Sequence, residues 1–67
     1  MIKNKLLDIR LELKYKTQKQ FADFLRINVK TYSQIENNKK QVSLENAFKI
    51  ANKLNLKIEQ IWQYSDV

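Results

Sequence analysis

The chain contains neither glycine nor proline in 67 residues, and this pair of absences narrows its folding options more than any motif does. Together with the lack of a period-2 apolar stretch of useful length, it argues against a β fold. The apolar residues fall at helical spacing instead. Ile2, Leu6, Ile9 and Leu13 stand at i, i+4, i+7 and i+11, one face of a helix, and Leu7 and Leu11 widen that stripe. This first segment is expected to end near Lys14-Tyr15-Lys16, where the periodicity breaks and basic residues suit a helix carboxyl end.

Start and stop signals divide the rest. Thr17-Gln18-Lys19-Gln20 reads as a capping box, followed by a short helix with Phe21, Ala22 and Leu25 inward. Asn28 is a second N-cap, with Tyr32 and Ile35 inward four and seven residues later. Ser43 is a third, with Glu45 placed against the helix dipole and Leu44, Ala47, Phe48, Ala51 and Leu54 forming an amphipathic helix behind it. Asn55 suits a left-handed residue after that helix, and Ile58, Ile61 and Trp62 predict a final short helix. Phe21, Phe24 and Phe48 are expected in the core. The reading is one compact all-α domain of five short helices over residues 1–67. Twenty-one residues are Leu, Ile, Val or Phe, above the share at which a chain stays disordered.

Composition also excludes chemistry. Without cysteine there is no disulfide framework, zinc cluster or thiol nucleophile, and without histidine the commonest general base and metal ligand is gone. A glycine-rich phosphate loop cannot be built. No enzyme mechanism, metal site, cofactor or small-molecule substrate is expected. No apolar run exceeds two residues, so no membrane span is expected. The first eight residues lack the apolar core of a signal peptide, and a cytoplasmic protein is expected. Thirteen Lys and Arg against seven Asp and Glu leave a net charge of +6 and a pI near 9.7.

The helices predicted at about 17–25 and 28–36 are separated by only a few residues. Such a pair must cross steeply, as in a helix-turn-helix unit, and the small Ala22 permits the close approach. A plain αα corner has the same local geometry. At this point the residues look familiar. The run Gln18-Lys19-Gln20-Phe21-Ala22-Asp23-Phe24-Leu25-Arg26-Ile27-Asn28 resembles the phage-repressor (Cro-type, or XRE) helix-turn-helix family. Thr31-Tyr32-Ser33-Gln34-Ile35-Glu36-Asn37-Asn38-Lys39-Lys40 is similar to the family's stretch ending Ile-Glu-Asn-Gly-Lys, and Ser43 to Ala51 is similar to its fourth helix. The likeness covers roughly residues 5–62. It implies a lambda-repressor-like fold and a sequence-specific regulator of transcription that binds double-stranded DNA, a repressor by analogy.

The chain departs from the family pattern in places. Arg26 stands at the tight turn where the family has glycine, which leaves room for a turn of different shape. Asn38 and Asn55 replace two further glycines, Val42 replaces a frequent proline, and the first connection is one residue longer than the commonest form. Charge points the same way as the motif: residues 14–40 hold seven basic and two acidic side chains, a clustering that a polyanion-binding surface needs. A solvated lysine-rich face is the plainer explanation of the same count.

Docking of such a unit places its second helix in the major groove. With Tyr32 and Ile35 inward, the outward positions are Val29, Lys30, Thr31, Ser33 and Gln34. Lys30 suits guanine O6 and N7, Gln34 suits adenine, and Val29 and Thr31 suit thymine methyls. Ser33 and Gln34 are also ordinary solvent-facing helix residues. Thr17, Gln18, Lys19, Asn37, Lys39 and Lys40 are expected on backbone phosphates, with Tyr15 and Lys16 as weaker candidates. The resemblance further implies an ion pair between Glu36 and an arginine of the first helix, and Arg10 is the arginine there; a solvated Glu36 is the alternative. It also implies a homodimer through the last helices, with Leu56, Ile61 and Trp62 as the candidate surface or, alternatively, the edge of the core. Control would come from concentration, dimerisation or a partner protein. The rival function is a protein-interaction module, of antitoxin or anti-repressor type, on the same fold.

Overall fold

In the computed structural model, which describes residues 1–65, seven elements follow one another: β1 (Ile2–Asn4), α1 (Leu6–Glu12), α2 (Gln18–Leu25), α3 (Val29–Glu36), α4 (Leu44–Leu54), α5 (Ile58–Ile61) and β2 (Trp62–Tyr64). Side-chain caps set three of the helix starts. The Thr17 hydroxyl accepts from the Gln20 N–H at 3.1 Å while the Thr17 N–H donates to the Gln20 side chain. Asn28 Oδ1 accepts from the N–H groups of Lys30 and Thr31. The Ser43 hydroxyl accepts from the Asn46 N–H. Each bond satisfies a donor that a helix start otherwise leaves unpaired.

The chain solves its turns without glycine. Lys14, Arg26, Asn38 and Asn55 all adopt left-handed backbone, with φ between 58° and 67°. Arg26 keeps the α2–α3 turn in the shape glycine would give it, with φ 60° and ψ 44°. The Ile27 N–H reaches back 2.9 Å to the Ala22 carbonyl. A side chain with a Cβ in this region costs about 1–2 kcal/mol, which the surrounding hydrogen bonds offset.

Two expectations fail at the chain ends. Residues 2–4 do not extend α1: they pair antiparallel with residues 62–64, in the register Ile2 to Tyr64, Lys3 to Gln63 and Asn4 to Trp62. Asn4 stops the helix by accepting from the Leu6 N–H through its own side chain at 3.0 Å, a local bond that competes with helix continuation. Trp62 likewise leaves the last helix and begins β2 with extended backbone. The fold is therefore mostly helical, with one short ribbon that tethers the chain ends.

Leu6, Phe21, Ala22, Leu25, Tyr32, Ile35, Ala47, Ile50, Ala51, Ile61 and Trp62 form the core. Phe48 is a correction. It is 53% exposed, and Leu44, four residues before it on the same flank, is 72% exposed. The inner stripe of α4 runs through Ala47, Ile50 and Ala51, and Phe48 lies one position, about 100°, beyond it. Leu7, Leu11 and Leu13 are exposed for a related reason: α1 is short and only Leu6 and Arg10 turn fully inward.

Candidate nucleic-acid interface

Helix α3 has two unlike sides. Tyr32, Ile35 and Glu36 are buried, which fixes the helix against the rest of the protein. Val29 and Lys30 are exposed, and Thr31, Ser33 and Gln34 are half-buried, so the five expected base-reading positions share the outer side. The amide capping by Asn28 gives this helix a defined amino end, where Val29 and Lys30 project.

What holds α3 in place is a buried polar network centred on Glu36. Its Oε1 accepts from Arg10 Nε at 2.9 Å and from the Tyr32 hydroxyl at 2.7 Å, and its Oε2 accepts from Gln18 Nε2 at 2.7 Å. Arg10 also donates to the carbonyls of Tyr15 and Lys16, each at 3.0 Å. One carboxylate thus joins α1, the start of α2 and the end of α3. The expected pairing of Arg10 with Glu36 is present as a contact. The shares of Tyr32 and Gln18 in it were not anticipated, although Tyr32 and Glu36 stand at i, i+4, a spacing that brings side chains together.

Gln18 therefore spends one amide hydrogen inside the protein. Thr17 accepts in its cap but its hydroxyl hydrogen remains to donate. Lys19 sits 3.4 Å from Asp23 as an exposed pair. The Asn37 amide approaches the Ser33 hydroxyl at 3.4 Å, so these two share a bond in the free protein. Lys39 and Lys40 are exposed, and their backbone N–H groups both turn to the Gln34 carbonyl. A further residue was not anticipated: Asn4 donates from its side chain to the Ile35 carbonyl at 2.7 Å and to Asn38 Oδ1 at 3.1 Å. It pins the turn carrying Asn37, Lys39 and Lys40 to the chain-end ribbon.

The network has a pH signature. Burial pushes the Glu36 carboxyl up, but hydrogen bonds from Arg10, Tyr32 and Gln18 outweigh burial and hold it below its ordinary value. Its bond to Glu36 raises Arg10, and burial followed by the Glu36 bond raises Tyr32. Folding therefore favours charged Glu36, and that stabilisation is complete above the unfolded-state value near pH 4.3 and is lost as pH falls through the lower folded-state value. We expect urea midpoints to be unaffected by Glu36 between pH 6 and 8 and to fall below about pH 4. In Glu36→Gln this part of the acid loss should vanish; an identical acid profile in that variant would remove Glu36 from the explanation.

Of the two roles open to the last helix, burial favours the edge of the core for Ile61 and Trp62. Ile61 is fully buried and Trp62 is 9% exposed, because both close the core beneath α4 and the ribbon. Leu56 is half-buried and keeps the most accessible surface of the three. Among the described residues no helix is long and apolar enough to cross a membrane. A protein-family model described as helix-turn-helix matches residues 6–61. No curated protein matches the chain.

Proposed function

Because the chain belongs to the Cro-type (XRE) helix-turn-helix family of DNA-binding regulators, we propose that it represses transcription by reading duplex DNA in the major groove with the outer side of α3. The observation that carries this reading is the division of α3: its inner side is locked by Tyr32, Ile35 and the Glu36 network, and its outer side is left to the groove. Lys30 donates to guanine, Gln34 pairs with adenine, and Val29, Thr31 and Ser33 contact neighbouring base edges. Thr17, Gln18, Lys19, Asn37, Lys39 and Lys40 hold backbone phosphates, which set register without carrying sequence.

Selection of binding sequences from random duplexes tests the proposal. Lys30→Ala and Gln34→Ala should each relax preference at one base pair, by about 1–3 kcal/mol. Lys39→Ala should weaken all duplexes alike and reduce the slope of log affinity against log salt by roughly 0.9. If neither reading-helix variant changes the selected sequence, α3 is not the reader.

The protein acts as a homodimer on a two-fold site with half-sites about 34–36 Å apart. With Ile61 and Trp62 inside the protomer, the surface for a second copy is the outer flank of α4 and α5, where Leu44 and Phe48 are exposed and Leu56 is half-buried. Lys57 and Glu59 border the same hollow as Phe48 and Leu56. Phe48→Glu should yield a folded monomer in sedimentation equilibrium and lose affinity for the two-fold site. Retention of the parental mass would place the dimer contact elsewhere. The rival reading, a module that holds another protein, uses the same apolar flank, and it predicts no salt-dependent duplex binding.

A further inference from the structure

A second cleft lies at the carboxyl end of α2, one helix length (about 12 Å for eight residues) from Gln18 and its phosphate-facing neighbours. Leu25, Arg26 and Ile27 from the α2–α3 turn bound it on one side, and Asn46, Lys49 and Lys53 from α4 on the other; its volume is about 540 Å³. Leu25 is buried and Ile27 half-buried, so the floor is aliphatic, while Arg26, Lys49 and Lys53 stand exposed on the rim. No carboxylate lines it.

The three cations are weakly employed by the protein itself. Arg26 has no ion-pair partner among the described residues. Lys49 reaches Glu45 only at 3.9 Å, with both side chains largely in solvent, a pair of little worth. Lys53 lies 5.1 Å over the Phe24 ring, which positions its ammonium without neutralising it. Arg26 also holds a left-handed conformation that asparagine serves at Asn38 and Asn55, so a cation occupies a turn position where a smaller residue is easier to accommodate.

An aliphatic floor under a cationic rim selects among ligands. A bare phosphate engages the rim and leaves the floor wet. A purely apolar segment covers the floor and strands the cations. A peptide segment that carries an aliphatic side chain between carboxylates satisfies both. We propose that this cleft docks an acidic segment of a partner protein, with one aliphatic side chain on Leu25 and Ile27 and flanking carboxylates on Arg26, Lys49 and Lys53. The lining contains no residue of α3 itself, and Arg26 and Ile27 directly precede its cap, Asn28; on the reading of α3 given above, the partner engages the regulator while it is on DNA.

The test is a nitrogen-15 NMR titration of the whole chain with a pentapeptide of one leucine between two pairs of glutamates, repeated with the protein saturated by duplex DNA. Expected are saturable shifts confined to Arg26, Ile27, Asn46, Lys49 and Lys53, unchanged by the duplex. An all-glutamate pentapeptide should bind several-fold more weakly, and a lysine–leucine counterpart not at all. The double variant Arg26→Asn with Lys49→Gln, and separately Lys49→Gln with Lys53→Gln, should each weaken the acidic peptide at least tenfold while retaining a cooperative melt. The proposal is overturned by shifts spread over the remaining lysines, by equal binding of the all-glutamate peptide, or by undiminished binding in a folded double variant. Displacement of the peptide by duplex DNA from these same residues also overturns it and makes the cleft a phosphate contact.

Discussion

Replacing Glu36 by alanine should destabilise the domain by about 3–5 kcal/mol, the range found when one partner of a buried ion pair is removed. A chain of this size has roughly 3–10 kcal/mol of stability in all, at about 0.05–0.15 kcal/mol per residue, so the variant should lose a large share of it. The cause is what stays behind. Arg10 is buried with its charge, and the Tyr32 hydroxyl and the Gln18 amide lose their acceptor together. Urea unfolding followed by circular dichroism at pH 7 measures the effect. The double variant Arg10→Met with Glu36→Leu should recover much of the loss, since it removes the stranded charge as well as its partner. A Glu36→Ala midpoint within about 1 kcal/mol of the parent would mean that solvent reaches Arg10 and that the network carries little.

The second large effect is at Trp62. Truncation to alanine empties a site in the core and should cost about 3–5 kcal/mol, lowering the melting temperature by a similar amount at every protein concentration. An interface residue behaves differently: its truncation leaves the monomer folded and removes the rise of apparent stability with concentration. Loss in Trp62→Ala of a concentration dependence that the parent shows would return this residue to the interface between copies. The contrast with Phe48→Glu is what makes the pair informative, because Trp62 is buried and Phe48 exposed.

Helix starts were legible because a cap is a local bond. Thr17, Asn28 and Ser43 each accept from a backbone N–H within three residues, so residue type and spacing suffice. The same holds for the left-handed positions Asn38 and Asn55. The ribbon was not legible. Its strands have three residues each and lie some sixty apart in sequence, too short for a periodic signal and with no local partner to betray them. Phe48 was misread because a stripe of apolar residues on a helix is wider than the face that is buried, and periodicity does not say which edge stays outside. The outward side of α3 followed from Tyr32 and Ile35. Gln18 and Asn4 required coordinates, because each reaches a group 18 to 34 residues away.

The pairing of Ile2 with Tyr64 also orders events when the chain folds. Closing a loop of about sixty residues carries a larger entropic penalty than pairing neighbouring helices such as α2 and α3. The strands are therefore expected to zip together after the helices have assembled and brought the two ends near, downstream of the rate-limiting barrier. Substitutions in the ribbon therefore speed unfolding and leave the folding rate almost unchanged.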